Sequence, residues 1–245
     1  MKLLIIRHGD PDYANDTLTP RGWKEAAALK ERLVKLPIRD FYVSPLGRAQ
    51  DTASLTLKAL GKKATVLPWL EEFFRARVER PDLNGGKSHM WDWLPQDWMK
   101  EEIFFDKDRW YTHPFHAEGR AKEYYDWVIS GLDGLLASYG YVRDGNLYRC
   151  EKGNEDTIAL VCHYGLTCVL LSHLLNISPM VLWHAVFSSP TGVTTVQTEE
   201  RRQGIVSFRA VAIGDVSHLY ASGITPSLSG FFREYAEPEI PGSTD

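Results

Sequence analysis

Two arginines, two histidines and a pair of glutamates stand just past short apolar runs in this chain. Arg7 and His8 follow "LLII", Arg48 follows "FYVSPLG", His163 follows "IALVC", and Glu71 and Glu72 close "ATVLPWL". A guanidinium is a planar fork that holds two anionic oxygens at once and keeps its charge at physiological pH. A neutral imidazole can attack phosphorus as a covalent nucleophile, its tautomer fixed by a hydrogen bond at the other ring nitrogen. A departing alcohol then needs a proton, which a carboxylic acid can supply, and both Glu71 and Glu72 are candidates. If the apolar runs are parallel strands of one sheet, these groups converge on its carboxyl edge, where open α/β sheets bind ligands. A pocket with two guanidiniums and two imidazoles favours a phosphoryl group.

The chain between these residues alternates as such a sheet requires. Thr19-Pro20 reads as an N-cap and a first-turn proline opening a helix over about 20 to 36, along which Ala26, Ala27, Leu29 and Leu33 keep a helical pattern. "DFYVSP" reads as a strand, "LGRAQDTASLTLKALG" as a helix stopped by Gly61, and "ATVLPWL" as a third strand closed by its proline. From about 74 to 118 the periodicity fails and the composition turns to Trp, Phe, Pro and charge, which marks an insertion held together by its aromatics. A helix over about 119 to 139, the strand "TIALVC", the helix "LTCVLLSHLL" and the strands "VTTVQT" and "GIVSFRAVAI" complete the pattern. The expected fold is α/β, a three-layer α/β/α sandwich with a mixed, mostly parallel central sheet and an inserted cap segment. We expect one domain over 1–245, with its core at about 1–73 and 119–225, the cap at about 74–118 and a C-terminal tail at about 226–245.

Composition narrows the partners. The 245 residues carry a formal charge of −4, dispersed along the chain, which points away from nucleic acid and membrane surfaces and towards small molecules. The first residues are too few in apolar character for a signal-peptide core, and no apolar run would span a bilayer, so a cytoplasmic location is expected. Cys150, Cys162 and Cys168 are odd in number and lack zinc-ligand spacing, so no disulfide framework and no metal site is expected. Cys162 and Cys168 read as small buried hydrophobes.

The motifs "LLIIRHG", "LTPRGWKEA", "SPLGRAQDTA", "LEE" and "VCHYG", in that order, resemble the histidine phosphatase superfamily, which includes the cofactor-dependent phosphoglycerate mutases. The resemblance spans residues 2–76 and 156–176, and the insertion corresponds to the variable cap of that family. It implies that His8 is the phosphate-accepting nucleophile, that Arg7, Arg48 and His163 neutralise the phosphoryl oxygens, and that Glu72 is the acid. It implies no metal and no other cofactor. The chain departs from the family pattern where Asp10-Pro11-Asp12-Tyr13 follows Gly9, where Asn15 falls one place late, where Tyr164 separates His163 from Gly165, and at Gln50-Asp51.

The leading expectation is a phosphomonoesterase that acts on a small phosphorylated substrate through a phosphohistidine. A mutase returning the phosphoryl group to another oxygen, and a phosphate-recognition module without turnover, are the alternatives. The cap carries Trp91, Trp93, Trp98 and Trp110, aromatics dense enough to form a satellite core with a solvated face; if the cap also roofs the pocket, Arg77 and His116 are expected to reach a second anionic group on the substrate.

Overall fold

The computed structural model describes residues 1–80, 86–117 and 120–232. Eight strands form one sheet: β1 (Lys2–Arg7), β4 (Ile38–Val43), β5 (Ala64–Val66), β8 (Val142–Asp144), β9 (Leu147–Arg149), β10 (Thr157–Cys162), β11 (Val193–Arg202) and β12 (Ile205–Asp215). Their spatial order is β5-β4-β10-β1-β11-β12-β9-β8. The first four run parallel, and from β11 onward every pairing is antiparallel. Two hairpins stand outside this sheet, β2 (Pro11–Asp12) with β3 (Thr17–Leu18), and β6 (Arg77–Arg80) with β7 (Gly86–His89).

Period-two side-chain alternation makes the three layers. Leu3 and Ile5 of β1 belong to one core cluster and Leu4 and Ile6 to the other; Ile158 and Leu160 of β10 divide from Ala159 and Val161 in the same way. One face is covered by helices α1 (Pro20–Leu33) and α2 (Gly47–Leu60), which contribute Leu29, Leu33, Ala49 and Ala53. The other is covered by α3 (Ala121–Ser138), α4 (Tyr164–Leu175) and α5 (Pro179–Ala185), through Val128, Leu132, Val169, Leu170 and Met180. Helix α4 buries ten of its twelve residues, as expected of a helix that is apolar all round. The three cysteines are buried and free.

The start of α1 and the stop of α2 fall where the sequence put them, while α1 ends at Leu33, short of the expected 36. The Thr19 hydroxyl accepts from the Gly22 N–H at 3.0 Å with Pro20 in the first turn, and Gly61 closes α2 at φ +61°. The strand in "ATVLPWL" ends at Val66, closed by its proline as expected, and Pro68 opens a single 3-10 turn, Pro68–Leu70, that redirects the chain towards the site. The β8–β9 hairpin and α5 were not anticipated.

The insertion folds as the β6–β7 hairpin followed by helical turns at Pro95–Trp98, Glu102–Phe105, Trp110–Thr112 and Pro114–Ala117. Its buried side chains, among them Val78, Met90, Trp93, Phe104 and Trp110, join the same cluster as Leu3 and Ile5, so the cap extends one layer of the main core. Parts of the expected cap (81–85 and 118), the first residue of the expected helix from about 119, and most of the expected tail (233–245) lie outside the described residues. Among the described residues, no helix is long and apolar enough to cross a membrane.

Candidate active site

Strands β1 and β10 pair in parallel with Arg7 opposite Cys162, so each delivers its next residue, His8 and His163, to the same edge. The rings sit 5.1 Å apart, centroid to centroid. His8 Nδ1 lies 2.7 Å from the Gly9 carbonyl oxygen, an obligate acceptor, so Nδ1 carries the proton and Nε2 keeps its lone pair. Its backbone is fixed from both sides: the His8 N–H donates to the Cys162 carbonyl at 2.9 Å and its carbonyl accepts from the Thr191 N–H at 3.1 Å. Burial, and then the charge of Arg7, push the His8 imidazole well below the usual histidine range, which keeps the ring neutral. Gly9 is needed for close approach to α1, since a Cβ there would stand 3.0 Å from the Gly22 carbonyl oxygen.

Arg7, 4 % exposed, sends Nη1 to the Ser188 carbonyl at 2.5 Å and Nη2 to the Ser229 carbonyl at 2.8 Å. Arg48 enters from the first turn of α2, where its Nη1 donates to Asp16 Oδ1 at 2.6 Å while the Gly47 N–H donates to Asp16 Oδ2 at 2.6 Å. His163 Nε2 and the Ser44 hydroxyl are 2.7 Å apart. Three buried polar atoms, Arg7 Nε, Arg48 Nε and His163 Nδ1, have no hydrogen-bond partner among the described residues. Such a set is costly unless a ligand completes it. Burial, followed by His8, Arg48 and Arg7, holds His163 well below its ordinary range.

The two glutamates separate cleanly. Glu71 turns away, its Oε1 accepting from the Tyr124 hydroxyl at 3.1 Å and from Arg75 Nε at 2.5 Å. Glu72 reaches the first turn of α4, at Gly165 and Leu166, two and three residues past His163. Its Oε1 accepts from the Phe73 and Leu166 N–H groups at 2.7 and 2.9 Å, and its Oε2 from the Gly165 N–H at 3.3 Å. Burial raises the Glu72 carboxyl above the usual glutamate value, against the pull of those three donors.

All five expected site residues thus lie at one edge of the sheet. The cap residues divide. Arg77 donates through Nη1 to His89 Nδ1 at 2.9 Å, and His89 stacks on Trp91, beside Glu72. His116 does not reach the pocket: it is 1 % exposed, stacked on Phe104 at 5.1 Å with Nδ1 on the Trp110 carbonyl, so its expected contact with substrate is withdrawn. Tyr164 packs below the site, its hydroxyl 2.5 Å from the Trp183 carbonyl and 2.9 Å from that of Val186. Asn15 is spent on the turn, donating to Asp12 at 2.8 Å. Asp10 accepts from the hydroxyls of Thr19 and Ser227, not from Arg7, whose Nη atoms go to backbone carbonyls. Sequence reasoning missed Asp16, Ser44 and Ser229. Only Ser44, at the end of "FYVS", had a positional signal.

Two histidines and two arginines gathered where parallel strands end make an anion site at the carboxyl edge of an α/β sheet. Residues 3–126 match the family model described as the histidine phosphatase superfamily (branch 1), and the chain belongs to that superfamily; its class is that of a histidine phosphatase, a phosphoric monoester hydrolase. No curated protein matches. Among solved structures, the fold is similar to phosphoserine phosphatase from Entamoeba histolytica in complex with phosphoserine, with 20 % identity, TM-score 0.58, and 89 % of this chain and 98 % of that one covered. It is similar to mycobacterial glucosyl-3-phosphoglycerate phosphatase, with 21 % identity, TM-score 0.58, and 87 % and 98 % covered. It is also similar to the α-ribazole phosphatase of Shigella flexneri, with 20 % identity, TM-score 0.53, and 88 % and 98 % covered.

Proposed function

We propose that this protein hydrolyses a small phosphomonoester in two steps through a phosphohistidine at His8. The observation that carries the reading is the His8 ring itself: its Nδ1 is tied to the Gly9 carbonyl, its Nε2 is unprotonated, and it stands 5.1 Å from His163. The phosphoryl group sits among Arg7, Arg48 and His163, whose unpartnered nitrogens supply donors to its oxygens. Each preorganised donor contributes about 3 kcal/mol to the transition state. His8 Nε2 attacks phosphorus as the ester oxygen leaves, and Glu72, entering protonated, hands that oxygen its proton. Glu72, now a carboxylate, takes a proton from water as the water attacks the phosphohistidine, which returns His8 and releases phosphate. No step requires a metal, because the two guanidiniums carry the compensating charge.

Sugar phosphates, nucleotides, phospho-acids and phosphopeptides, screened by phosphate release, test the reading. We expect release from at least one class and none above background with His8→Ala. Full activity in His8→Ala would contradict it, and interconversion of the two monophosphoglycerates without net phosphate release would replace hydrolysis with phosphoryl transfer.

A further inference from the structure

The first turn of α4 is unusual in being pressed by an aromatic ring from the cap. A Cβ at Gly165 would lie 2.2 and 2.5 Å from two atoms of the Trp91 ring and 2.9 Å from Glu72 Oε1, so indole and carboxylate converge on the space that this glycine leaves open. The indole is held on three sides. His89 stacks on it at 4.8 Å with the planes within 6°, Tyr164 meets it edge-on at 5.9 Å, and Trp183 lies at 6.3 Å. His89 is in turn bonded to Arg77, and burial together with that guanidinium keeps it neutral, able to accept at Nδ1. Arg77, His89 and Trp91 are therefore linked in series from the β6–β7 hairpin, and the indole shares with the Glu72 carboxylate the space over Gly165 at the start of α4.

We propose that Trp91 is the positioning residue for the acid: its indole, braced by His89 and Arg77, fixes Glu72 against the first turn of α4 and screens it from water at the moment it meets the leaving oxygen. This rests on the role proposed above for Glu72. It also gives a physical account of the His163-Tyr164-Gly165 order. The inserted tyrosine supplies an edge for the indole, and the displaced glycine supplies the space. Three amide donors alone would favour an ionised carboxylate. Water exclusion by the ring opposes them, and a carboxyl that carries its proton at neutral pH is what a general acid needs. The cap thereby contributes to acid competence, since the hairpin residues Arg77 and His89 brace the ring that meets Glu72 over Gly165.

A leaving-group comparison tests this. An alkyl phosphate needs the acid, whereas p-nitrophenyl phosphate, whose leaving group departs as a stable anion, needs it far less. In Trp91→Ala we expect kcat on the alkyl phosphate to fall on the order of 10-fold or more, and to fall much less on the aryl phosphate, as a fraction of the 10²- to 10⁴-fold that general acids contribute. Trp91→Phe should restore most of the loss, because a flat ring is kept. Trp91→Gln should not, and so covers the case in which alanine leaves the cap unfolded. Equal losses of kcat on both substrates, or unchanged kcat on both, would overturn the assignment. His8→Ala and Glu72→Gln run alongside. If His8→Ala stays active or Glu72→Gln shows no leaving-group dependence, the proposed reaction fails; if both behave as expected and Trp91→Gln does not discriminate, this inference alone fails.

Discussion

His8 and His163 are neighbours because Arg7 and Cys162 are register partners: the rings, tilted by 58° to one another, each follow a paired residue of adjacent parallel strands. Both are neutral without ligand, depressed first by burial and then by nearby positive charge. An arriving dianion reverses the second effect.

This gives a linkage prediction. Binding of an anion raises the affinity of His163 for a proton, so protons are taken up on binding and the anion binds more tightly as pH falls. Sulfate is suitable because it stays dianionic throughout. Calorimetry between about pH 8 and 6, in buffers of different ionisation enthalpy, should show proton uptake and a tightening affinity. Binding without proton exchange would place His163 outside the phosphoryl site.

The glutamates should separate in kinetics as they do in space. Glu72→Gln should lower kcat on an alkyl phosphate on the order of 10²- to 10⁴-fold, with a smaller loss on an aryl phosphate. Glu71→Gln breaks contacts with Tyr124 and Arg75, and should lower stability with little leaving-group dependence. Because burial raises the Glu72 carboxyl, the protonated acid persists above the usual glutamate range, and activity on alkyl esters should decline as pH rises through that raised value. A reversed pattern would exchange their roles.

His116 offers a stability test. Burial pushes it down to about 4 in the folded protein, whereas the unfolded chain titrates near the ordinary value of about 6.5. The unfolded state therefore binds more protons across that window, and stability rises with pH. The contribution is complete above about 6.5 and is lost as pH falls towards 4, up to roughly 3 kcal/mol. His116→Phe, which keeps a ring on Phe104, should flatten the acid limb of a melting-temperature profile. Parallel profiles for the two proteins would show that His116 does not titrate as its burial demands.

Asp16 joins two elements that the sequence separates. Its carboxylate accepts from the Gly47 N–H at the start of α2 and from Arg48, and it sits at φ +48°. Asp16→Ala should cost about 1 kcal/mol, the usual loss for a helix N-terminal acceptor, read as a lower denaturant midpoint with unchanged slope. It should also weaken phosphate as a product inhibitor by freeing Arg48 to move. An unchanged midpoint would contradict the first role.

The parallel half of the sheet and its charged edge were legible because each strand there is a short apolar run that stops at the functional residue, as in "LLIIRHG" and "LVCHYG". The β8–β9 hairpin was less so, although Gly145-Asn146, between the paired Asp144 and Leu147, carries a two-residue turn signal and Gly145 adopts φ +58°. Helix α5 likewise has its marks in Ser178 and Pro179, but its seven residues are too few to show a period. Within the site, Asp16 and Ser229 were invisible in principle: each acts through a loop whose path is set by tertiary packing, and neither lies at a strand end. The direction of Glu72 rather than Glu71 follows from the turn at Pro68, which strand reading missed.

Trapping the intermediate tests the central claim most directly. The enzyme is mixed with a phosphate ester labelled in its phosphoryl group, quenched into base within the first turnover, digested and read by mass spectrometry. The account predicts a base-stable, acid-labile phosphoryl group on the peptide that carries His8, formed at least as fast as phosphate is released and absent in His8→Ala. Steady release of phosphate with the label never on His8, or with the label on another residue, would contradict it.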